Sequence, residues 1–193
     1  MGTRRGHDKA IGRGGDVNRR EFVRKLPALL LAGCSTEGIK LDAPYVSTPQ
    51  PVVEEMLRLA RVGPKDNVYD LGCGDGRFII TAAQKFGARG VGIDIDPRRL
   101  AEAVAGARRA GVTGRVSFRE EDLFKTDFSA ATVVTLFLFS ELNERLAPRL
   151  RSSLKPGARI VAYQFGIPGW PPDERSQLNL EGSSHDMFLW RIN

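Results

Sequence analysis

The sequence predicts an α/β fold, a doubly wound, mostly parallel seven-stranded sheet that ends in an antiparallel strand pair. Three observations support this prediction. Short apolar strands alternate with amphipathic helices of ten or more residues from Leu41 onward. A glycine-rich turn, GCGDG, follows the first of these strands. A continuously apolar run, ATVVTLFLF, indicates a strand buried on both faces near the centre of the sheet.

One folded domain is expected over residues 41–193, preceded by a separate basic segment over residues 1–40. A chain of 193 residues of which 41% are apolar can bury one ordinary core. The first 33 residues hold eight Lys or Arg against three Asp or Glu, whereas residues 34–193 hold 21 against 20. The domain is therefore nearly neutral, and we expect no nucleic-acid partner. With two cysteines and two histidines in the chain, no metal site is expected either.

The N-terminal segment begins with a stretch that has almost no apolar residues and is predicted to be disordered. Residues 18–35 then read NRREFVRKLPALLLAGCS, in which paired arginines precede a short apolar run that closes at Cys34. This stretch resembles a bacterial twin-arginine signal with a lipobox, whose cysteine becomes lipidated. The alternative is an N-terminal helix that happens to end in Gly-Cys. The run is too short to span a bilayer as a helix.

Caps, periodicity and helix breakers predict the elements of the domain in order. The first helix lies in STPQPVVEEMLRLARV, with Thr48 as its N-cap and Pro49 at the first helical position, and it ends at Gly63-Pro64. Three more helices are predicted over residues 76–86, 97–110 and 141–154. The seven strands are predicted at NVYDL, GVGIDI, RVSFRE, ATVVTLFLF, ARIVAYQF, QLNLEG and DMFLWRI.

The turn after the first strand has the residues of a ligand site. Gly72, Gly74 and Gly76 lack the Cβ atoms that would block a close approach, and they lie where open α/β sheets bind ligands. Their spacing, G-x-G-x-G, differs from the dinucleotide fingerprint G-x-G-x-x-G, and an arginine stands where its last glycine would be. Asp70 and Asp75 would repel a pyrophosphate and suit a cationic amine.

Acidic residues also follow the next two strands. Asp94 ends the second strand, where a carboxylate can accept hydrogen bonds from both hydroxyls of a ribose. Asp122 follows the third strand, where a carboxylate can accept from an exocyclic adenine amine. Asp96, directly before Pro97, is predicted to cap the next helix. A ligand with a positive charge, a ribose and no phosphate fits these residues.

These residues resemble those of the class I S-adenosylmethionine-dependent methyltransferases, which have a Rossmann-like fold. The resemblance is carried by the D-x-G-x-G-x-G turn, the ribose acid and the adenine-side acid, which are Asp70, Gly72, Gly74, Gly76, Asp94 and Asp122. It implies S-adenosyl-L-methionine as the cofactor. It also implies that the glycines hold the methionyl end, with Asp70 or Asp75 at its ammonium group.

A narrower resemblance is to the family of the mitochondrial lysine methyltransferase of the ATP synthase c-subunit and its bacterial relatives. It rests on the stretches PYVSTPQPVVEEMLRLA, VYDLGCGDGR, EDLFKTDFSAATVVTLFL and FGIPGWPPDE. This resemblance implies transfer of a methyl group to a protein lysine amine. It also implies that Tyr45 and Thr48 fold over the cofactor. The lipobox-like start departs from that family.

The methyl acceptor is expected to approach after the fourth strand, within TLFLFSELN. Thr135, Phe137 and Phe139 are candidate wall residues there, although core packing explains them equally well. Methyl transfer to a neutral acceptor requires close positioning and no general base, so no catalytic residue is predicted. The Asn/Asp-Pro-Pro-Tyr/Phe signature of enzymes that methylate amino groups of nucleic acid bases or glutamine is absent.

Three other functions stay open on the sequence alone. They are an NAD-dependent enzyme, an aminopropyltransferase-like enzyme on the same sheet, and a non-catalytic lipoprotein that keeps the fold. The arginine in the turn argues against the first, the absence of paired acids after the fourth strand against the second, and the intact turn against the third. The protein is expected to be a monomer. We also expect membrane association with a cytoplasm-facing active site, because the cofactor is cytosolic; export as a lipoprotein is the alternative.

Overall fold

A seven-stranded mixed sheet organises residues 46–193, the part of the chain that the computed structural model describes. Its strands are β1 (Asn67–Leu71), β2 (Arg89–Asp94), β3 (Val116–Glu120), β4 (Val133–Leu136), β5 (Arg159–Tyr163), β6 (Glu174–Leu180) and β7 (Ser183–Arg191). The helices are α1 (Gln50–Leu59), α2 (Arg77–Phe86), α3 (Pro97–Arg109) and α4 (Ser140–Ser153). The predictions for the signal-like segment and for Tyr45 fall outside the described residues and stay predictions.

The strand order is β3-β2-β1-β4-β5-β7-β6. Strands β1 to β5 pair in parallel, and β7 pairs antiparallel with both β5 and β6. This arrangement confirms the predicted doubly wound sheet with an antiparallel C-terminal pair. The strand order reverses between β1 and β4, and ligands of such sheets bind in the crevice at that point.

Helices cover both faces of the sheet. On one face α1 and α2 pack against Val68 and Val133, and on the other α4 packs against Leu136. All four residues of β4 are buried, as the apolar run predicted. The strand nevertheless stops at Leu136, so Phe137 and Phe139 leave the sheet at its carboxyl edge and do not extend it as predicted. No helix in the described part of the chain has the length and apolar character to cross a membrane.

Helix α1 is shorter at both ends than the sequence predicted. It begins at Gln50 with Pro49 at the N-cap position, so Thr48 lies one residue too early to cap it. It ends at Leu59, before the predicted stop at Gly63-Pro64, and Arg61 then adopts a left-handed φ of 50°. Because Thr48 is not part of the cap, its side chain is available to the crevice.

The C-terminal strand pair is a tight hairpin that anchors the loop after β5. Glu181 and Gly182 both have positive φ, 49° and 80°, as a two-residue hairpin turn with the right twist requires. Trp190 of β7 is fully buried, and its indole N–H donates to the carbonyl oxygen of Trp170 at 2.9 Å. The loop over residues 166–172 is thereby tied to the sheet.

Candidate active site

A cavity of about 330 Å³ opens at the carboxyl ends of the central strands. Its lining includes the ends of β1, β2 and β4 and the segment before α1. Three guanidinium groups line it, from Arg77, Arg98 and Arg99. Six carboxyl groups also line it, from Asp70, Asp75, Asp94, Asp96, Glu121 and Asp122. The predicted acidic residues of three successive strands therefore do meet at one site.

Asp70 is the most deeply buried of these carboxyl groups. The hydroxyl of Thr135 donates to its Oδ1 at 2.7 Å, and no ion pair joins it to a cation within residues 46–193. Burial raises the pKa of Asp70 to about 7, the charges of Asp94 and Asp75 add to this increase, and the Thr135 hydrogen bond opposes it. A cationic ligand group at this position would stabilise the carboxylate.

Thr135 lies behind Asp70 and does not line the cavity, contrary to the prediction that it forms part of the acceptor wall. The parallel register of β1 and β4 pairs Thr135 directly with Asp70. Neighbouring residues in register present their side chains on the same face, which brings the threonine hydroxyl to the carboxylate. Thr135 therefore orients Asp70.

Asp94 is held in one orientation at the end of β2. Its Oδ2 accepts the N–H of Gly74 at 2.8 Å, and its Oδ1 accepts the N–H of Asp96 at 2.9 Å. The side chain of Asp96 in turn accepts the N–H of Arg98 at 2.9 Å, which confirms that Asp96 caps α3. The sequence predicted different roles for Asp94 and Asp96, and their hydrogen bonds in the structure differ accordingly. Asp94 lines the cavity with a fixed carboxylate, whereas Asp96 is engaged by its own helix.

The three glycines of the turn differ in position. Gly72 has a φ of 83°, is exposed and lines the cavity. Gly74 and Gly76 are buried and do not line it, and their predicted role in holding the cofactor stays a prediction. A Cβ on Gly76 would lie 2.6 Å from the ring of Phe118, so this glycine is needed where α2 packs on β3. The N–H of Gly74 donates to the side chain of Asp94 and helps to hold that carboxylate in place.

Arg77 joins the glycine turn to the segment before α1. Its Nε donates to Oδ1 of Asp75 at 2.8 Å, and its Nη2 pairs with the other carboxylate oxygen. Its Nη1 donates to the backbone carbonyl of Thr48, a buried residue that lines the cavity. Because Asp75 is paired with Arg77, it is a weaker candidate than Asp70 for contact with an ammonium group.

Asp122 and its neighbours line the side of the cavity next to β3. Oδ1 of Asp122 accepts the N–H of Phe124 at 2.9 Å, and about a third of the side chain is exposed. Leu123 also lines the cavity and supplies an apolar surface beside the carboxylate. This surface suits a flat base, and the assignment of Asp122 to an adenine amine stays a prediction.

Aromatic rings form the opposite wall, at the ends of β4 and β5. The sequence predicted Phe137 and Phe139 here, and both line the cavity. It missed Phe165, whose ring centroid lies 5.4 Å from that of Phe139 and 6.5 Å from that of Phe137. Tyr163 packs behind Phe137 at 4.5 Å, and its hydroxyl hydrogen-bonds with His185. We call Phe137, Phe139 and Phe165 the aromatic wall.

Asn143 of α4 holds the two segments that carry the aromatic wall. It is fully buried, and its amide nitrogen donates to the carbonyl oxygens of Leu138 and Phe165, each at 3.1 Å, and of Gly166 at 3.3 Å. One side chain therefore connects the residues that follow β4 with those that follow β5. No sequence motif marks this asparagine, because its partners are backbone groups of distant loops.

The residues fit S-adenosylmethionine. Asp70 offers a buried carboxylate with no cationic side chain paired to it among residues 46–193, and Asp94 offers a fixed carboxylate at the position predicted for the ribose. Gly72 leaves the turn open to close approach. A pyrophosphate would instead meet six carboxyl groups, which disfavours a dinucleotide. The strand order and this site define an S-adenosylmethionine-dependent methyltransferase.

A family model described as ANTKMT methyltransferase domain matches residues 70–174, more than half of the chain. The chain belongs to this family. A protein-lysine N-methyltransferase of Saccharolobus islandicus is 47% identical over 150 residues, which cover 77% of this chain and 93% of that protein. The adenine nucleotide translocase lysine N-methyltransferase of Mus musculus is 34% identical, covering 75% of this chain but 62% of the mouse protein.

Among solved structures, a protein of Salinibacter ruber described as an RNA methyltransferase in complex with S-adenosyl-L-homocysteine is 48% identical. Its TM-score is 0.72, and the match covers 76% of this chain and 94% of that one. These comparisons confirm S-adenosylmethionine as the cofactor. They give no support to the NAD-dependent or aminopropyltransferase-like alternatives.

A Thr135→Val variant is expected to bind S-adenosylmethionine with a pH dependence displaced to higher pH. The substitution removes the donor that stabilises the Asp70 carboxylate, so the pKa of Asp70 rises further. Calorimetric titration between pH 6 and 8.5 measures the shift. Thr81→Val is the matched control, because Thr81 is another buried threonine and its hydroxyl accepts from Gln50 on the α1–α2 side. Equal shifts in both variants would contradict the role of Thr135.

Proposed function

We propose that the protein transfers a methyl group from S-adenosylmethionine to the side-chain amine of a lysine in another protein. The observation that carries this proposal is the composition of the wall at the ends of β4 and β5. Its cavity-lining residues are all apolar, namely Phe137, Leu138, Phe139, Leu142 and Phe165. A lysine amine that enters against this wall loses water, and desolvation lowers its pKa and favours the neutral, nucleophilic form.

The chain need not supply a catalytic base or nucleophile for this reaction. When bound, S-adenosylmethionine supplies a methyl group activated by a positively charged sulfur. The protein's part is to hold the amine close to that group and to exclude water. The buried Cys73 is no competing nucleophile, because desolvation raises the pKa of its thiol. Aromatic faces also attract the charged methylammonium product.

Within this proposal the cofactor has three acidic contacts. Asp70 accepts from the ammonium group, Asp94 from the ribose hydroxyls, and Asp122 from the adenine amine. The support is that all three line one cavity. Gly72 lies under the methionyl end, and Thr48 closes the cavity from the α1 side.

Two relatives favour a lysine acceptor and one structure favours RNA. The archaeal and mouse relatives are named as lysine methyltransferases, whereas the Salinibacter ruber structure is described as an RNA methyltransferase. The charge of the site favours lysine. Six carboxyl groups against three guanidinium groups would repel a phosphate backbone and attract a cation.

Transfer of label from S-adenosylmethionine with a tritiated methyl group decides between these acceptors. We expect the label in extracts to survive ribonuclease, to be lost on proteolysis, and to elute as methyl-lysine after acid hydrolysis. The Asp94→Ala variant controls for dependence on the cofactor. Label that ribonuclease releases would assign the enzyme to RNA.

A Phe139→Ala variant is expected to lower kcat/KM for the acceptor while leaving the Kd of the cofactor unchanged. Phe139 is 44% exposed at the mouth of the cavity, and aromatic contacts of this kind contribute about 0.5–1.5 kcal/mol, or roughly twofold to tenfold in kcat/KM. Ile95→Ala is the matched control, because Ile95 is 42% exposed at the same cavity but follows β2 on the cofactor side. The Ile95→Ala variant should instead weaken binding of the cofactor. If Phe139→Ala weakened cofactor binding and Ile95→Ala lowered kcat/KM for the acceptor, the proposed acceptor side of the cavity would be wrong.

We also propose, from the N-terminal sequence alone, that residues 19–34 bring the protein to the membrane with its active site facing the cytoplasm. Cell fractionation is expected to find the native protein with membranes and a Cys34→Ala variant in the soluble fraction, because lipidation at Cys34 would be lost. Protease added to the periplasm should leave the domain intact. Full solubility of the native protein would contradict anchoring, and cleavage from the periplasm would contradict the cytoplasmic orientation.

A further inference from the structure

A second cavity, of about 390 Å³, lies next to the aromatic wall. We call it the loop groove. It is lined by the loop over residues 166–172 together with Ser140, Arg175, Phe188 and Trp190. Most of this lining is apolar, and several of its residues are proline or aromatic.

The loop groove and the active-site cavity are lined by consecutive residues of the same two segments. Phe139 lines the active-site cavity and Ser140 the loop groove. Likewise, Phe165 lines the active-site cavity and Gly166 lines the loop groove. Asn143 fixes the second segment through Gly166. A protein chain whose lysine reaches the aromatic wall therefore has the loop groove beside it.

The groove is preformed. The indole of Trp190 holds the carbonyl of Trp170, and Ile167 pairs with Trp170 in an isolated antiparallel bridge. Ile167 and Trp190 are buried beneath the groove. A fixed surface binds a flexible segment without first being ordered itself, which reduces the entropic cost of binding.

One arginine lines the loop groove and a second contacts one of its lining rings, each with its guanidinium group over an aromatic ring. Arg175 lies 5.5 Å from the ring centroid of Phe188, and Arg151 lies 4.2 Å from that of Trp170. Neither forms an ion pair with a carboxylate in the part of the chain that the structure describes. Both are exposed, so their charges face solvent.

The two carboxylates closest in sequence to Arg175 are engaged by Arg191. Asp173 accepts the backbone N–H of Arg191 at 2.6 Å, and Glu174 pairs with the side chain of Arg191 at 2.7 Å. One helical turn before Arg151 stand Ala147 and Pro148, which carry no charge. The two guanidinium groups therefore present a positive edge to an apolar groove.

We propose that the loop groove binds an acidic segment of the acceptor protein that flanks the target lysine. This inference rests on the proposed lysine acceptor. The lysine enters a cavity rich in carboxyl groups, whereas Asp or Glu residues a short distance along the same chain pair with Arg151 and Arg175. The enzyme thus selects a lysine with acidic neighbours over an isolated lysine. A phosphate backbone could pair with the same arginines, but it would have to pass the carboxyl groups of the neighbouring cavity.

Synthetic peptides of equal length with one central lysine test this selection in the full-length enzyme. One set carries two glutamates placed two to five residues before or after the lysine, and the matched set carries glutamines. An extended chain advances about 3.3 Å per residue, so these positions scan roughly 7 to 17 Å from the lysine. We expect kcat/KM to be higher for one glutamate set by roughly twofold to fivefold per arginine engaged.

Variants of the two arginines test whether the loop groove causes the preference for glutamate peptides. Arg151→Gln and Arg175→Gln should each reduce the preference for glutamate, the double variant should abolish it, and kcat/KM for the glutamine peptides should stay unchanged. The double variant Arg151→Lys, Arg175→Lys should keep part of the preference. Arg108→Gln, an exposed arginine of α3, is the control and should have no effect.

Four outcomes would overturn the inference. Equal kcat/KM for glutamate and glutamine peptides in the native enzyme, or a preference that survives in the double variant, would overturn it and leave lysine methylation standing. Inhibition of peptide methylation by a single-stranded RNA oligonucleotide that disappears in the double variant would assign the groove to a phosphate backbone. If no peptide gains methyl-lysine although the protein binds S-adenosylmethionine, the lysine acceptor itself falls, and this inference with it.

Discussion

Replacing Asp70 with asparagine is expected to weaken S-adenosylmethionine binding by roughly 10- to 150-fold at pH 8. The variant keeps an acceptor for the Thr135 hydroxyl but loses the charge that we propose faces the ammonium group, and hydrogen bonds to charged partners contribute about 1.5–3 kcal/mol. The native affinity should also rise between pH 6 and 8. In the proposed contact the carboxylate form binds the ammonium group, and burial raises the pKa of Asp70 in the free protein to about 7. Binding near neutral pH should therefore release a proton.

The same residue should make the cofactor-free protein less stable as the pH rises. An ordinary Asp has a pKa of 3.8 and folded Asp70 one of about 7, so between these values the folded state binds more protons than the unfolded state. The free energy of unfolding then falls as pH increases through this window and levels off above it. Asp70→Asn should remove this contribution, so that the variant without cofactor is more stable than the native protein at pH 8.

Thermal unfolding and calorimetric titration in buffers of different ionisation enthalpy measure both effects. Asp127→Asn is the matched control, because Asp127 is exposed in a loop away from the cavity and should leave cofactor affinity unchanged. A native affinity that is flat between pH 6 and 8, or an Asn variant that still releases a proton on binding, would show that Asp70 does not contact the ammonium group.

The second large effect is expected for Asp94→Ala, which should weaken cofactor binding by about 1–3 kcal/mol, or roughly 5- to 150-fold. The substitution removes the acceptor that we propose for the ribose hydroxyls. It also frees the N–H of Gly74, which Asp94 holds at 2.8 Å, so the turn loses one of its hydrogen bonds to β2 and keeps those from Gly72 and Cys73 to the carbonyl of Ile93. Calorimetric titration gives the affinity, and thermal unfolding shows whether the domain remains folded.

Asp96→Ala is the control for Asp94, because Asp96 lies two residues away and also lines the cavity. It should cost about 1 kcal/mol of stability through loss of the α3 cap, with little change in affinity. The backbone N–H of residue 96 still reaches Asp94 in this variant. If affinity fell in the Asp96 variant and held in the Asp94 variant, the assigned roles would be reversed.

The sheet and most of the acidic site were predictable because each depends on local order along the chain. Alternating apolar segments fixed the strands, and the ends of parallel strands had to meet, which brought Asp70, Asp94 and Asp122 together. Roles that depend on contacts between distant segments were not predictable in this way. On the sequence, Gly76 had the same predicted role as the other two glycines of the turn. In the structure the ring of Phe118, forty-two positions later, fills the space that a Cβ of residue 76 would need.

On the side of the cavity proposed for the acceptor, the sequence analysis identified residues that follow β4 but not those that follow β5. Phe137 and Phe139 were named because they follow the most apolar strand. Phe165 occupies the same kind of position after β5, and the same argument about strand ends would have found it. Asn143 could not have been found, since its amide bonds only to backbone carbonyls that no residue type reveals.

The way Asn143 ties the ends of β4 and β5 together has a consequence for how such enzymes diverge. The groups proposed to hold the cofactor follow β1, β2 and β3, whereas the aromatic wall and the loop groove belong to β4, β5 and the hairpin. Thr135 of β4 supports Asp70, but mutations in the loops that follow β4 and β5 can change the proposed acceptor surface without touching the groups proposed to hold the cofactor. Relatives of similar identity that are named for protein lysines and for RNA can then share one ancestral cofactor half, with new specificity arising by drift at a few loop positions.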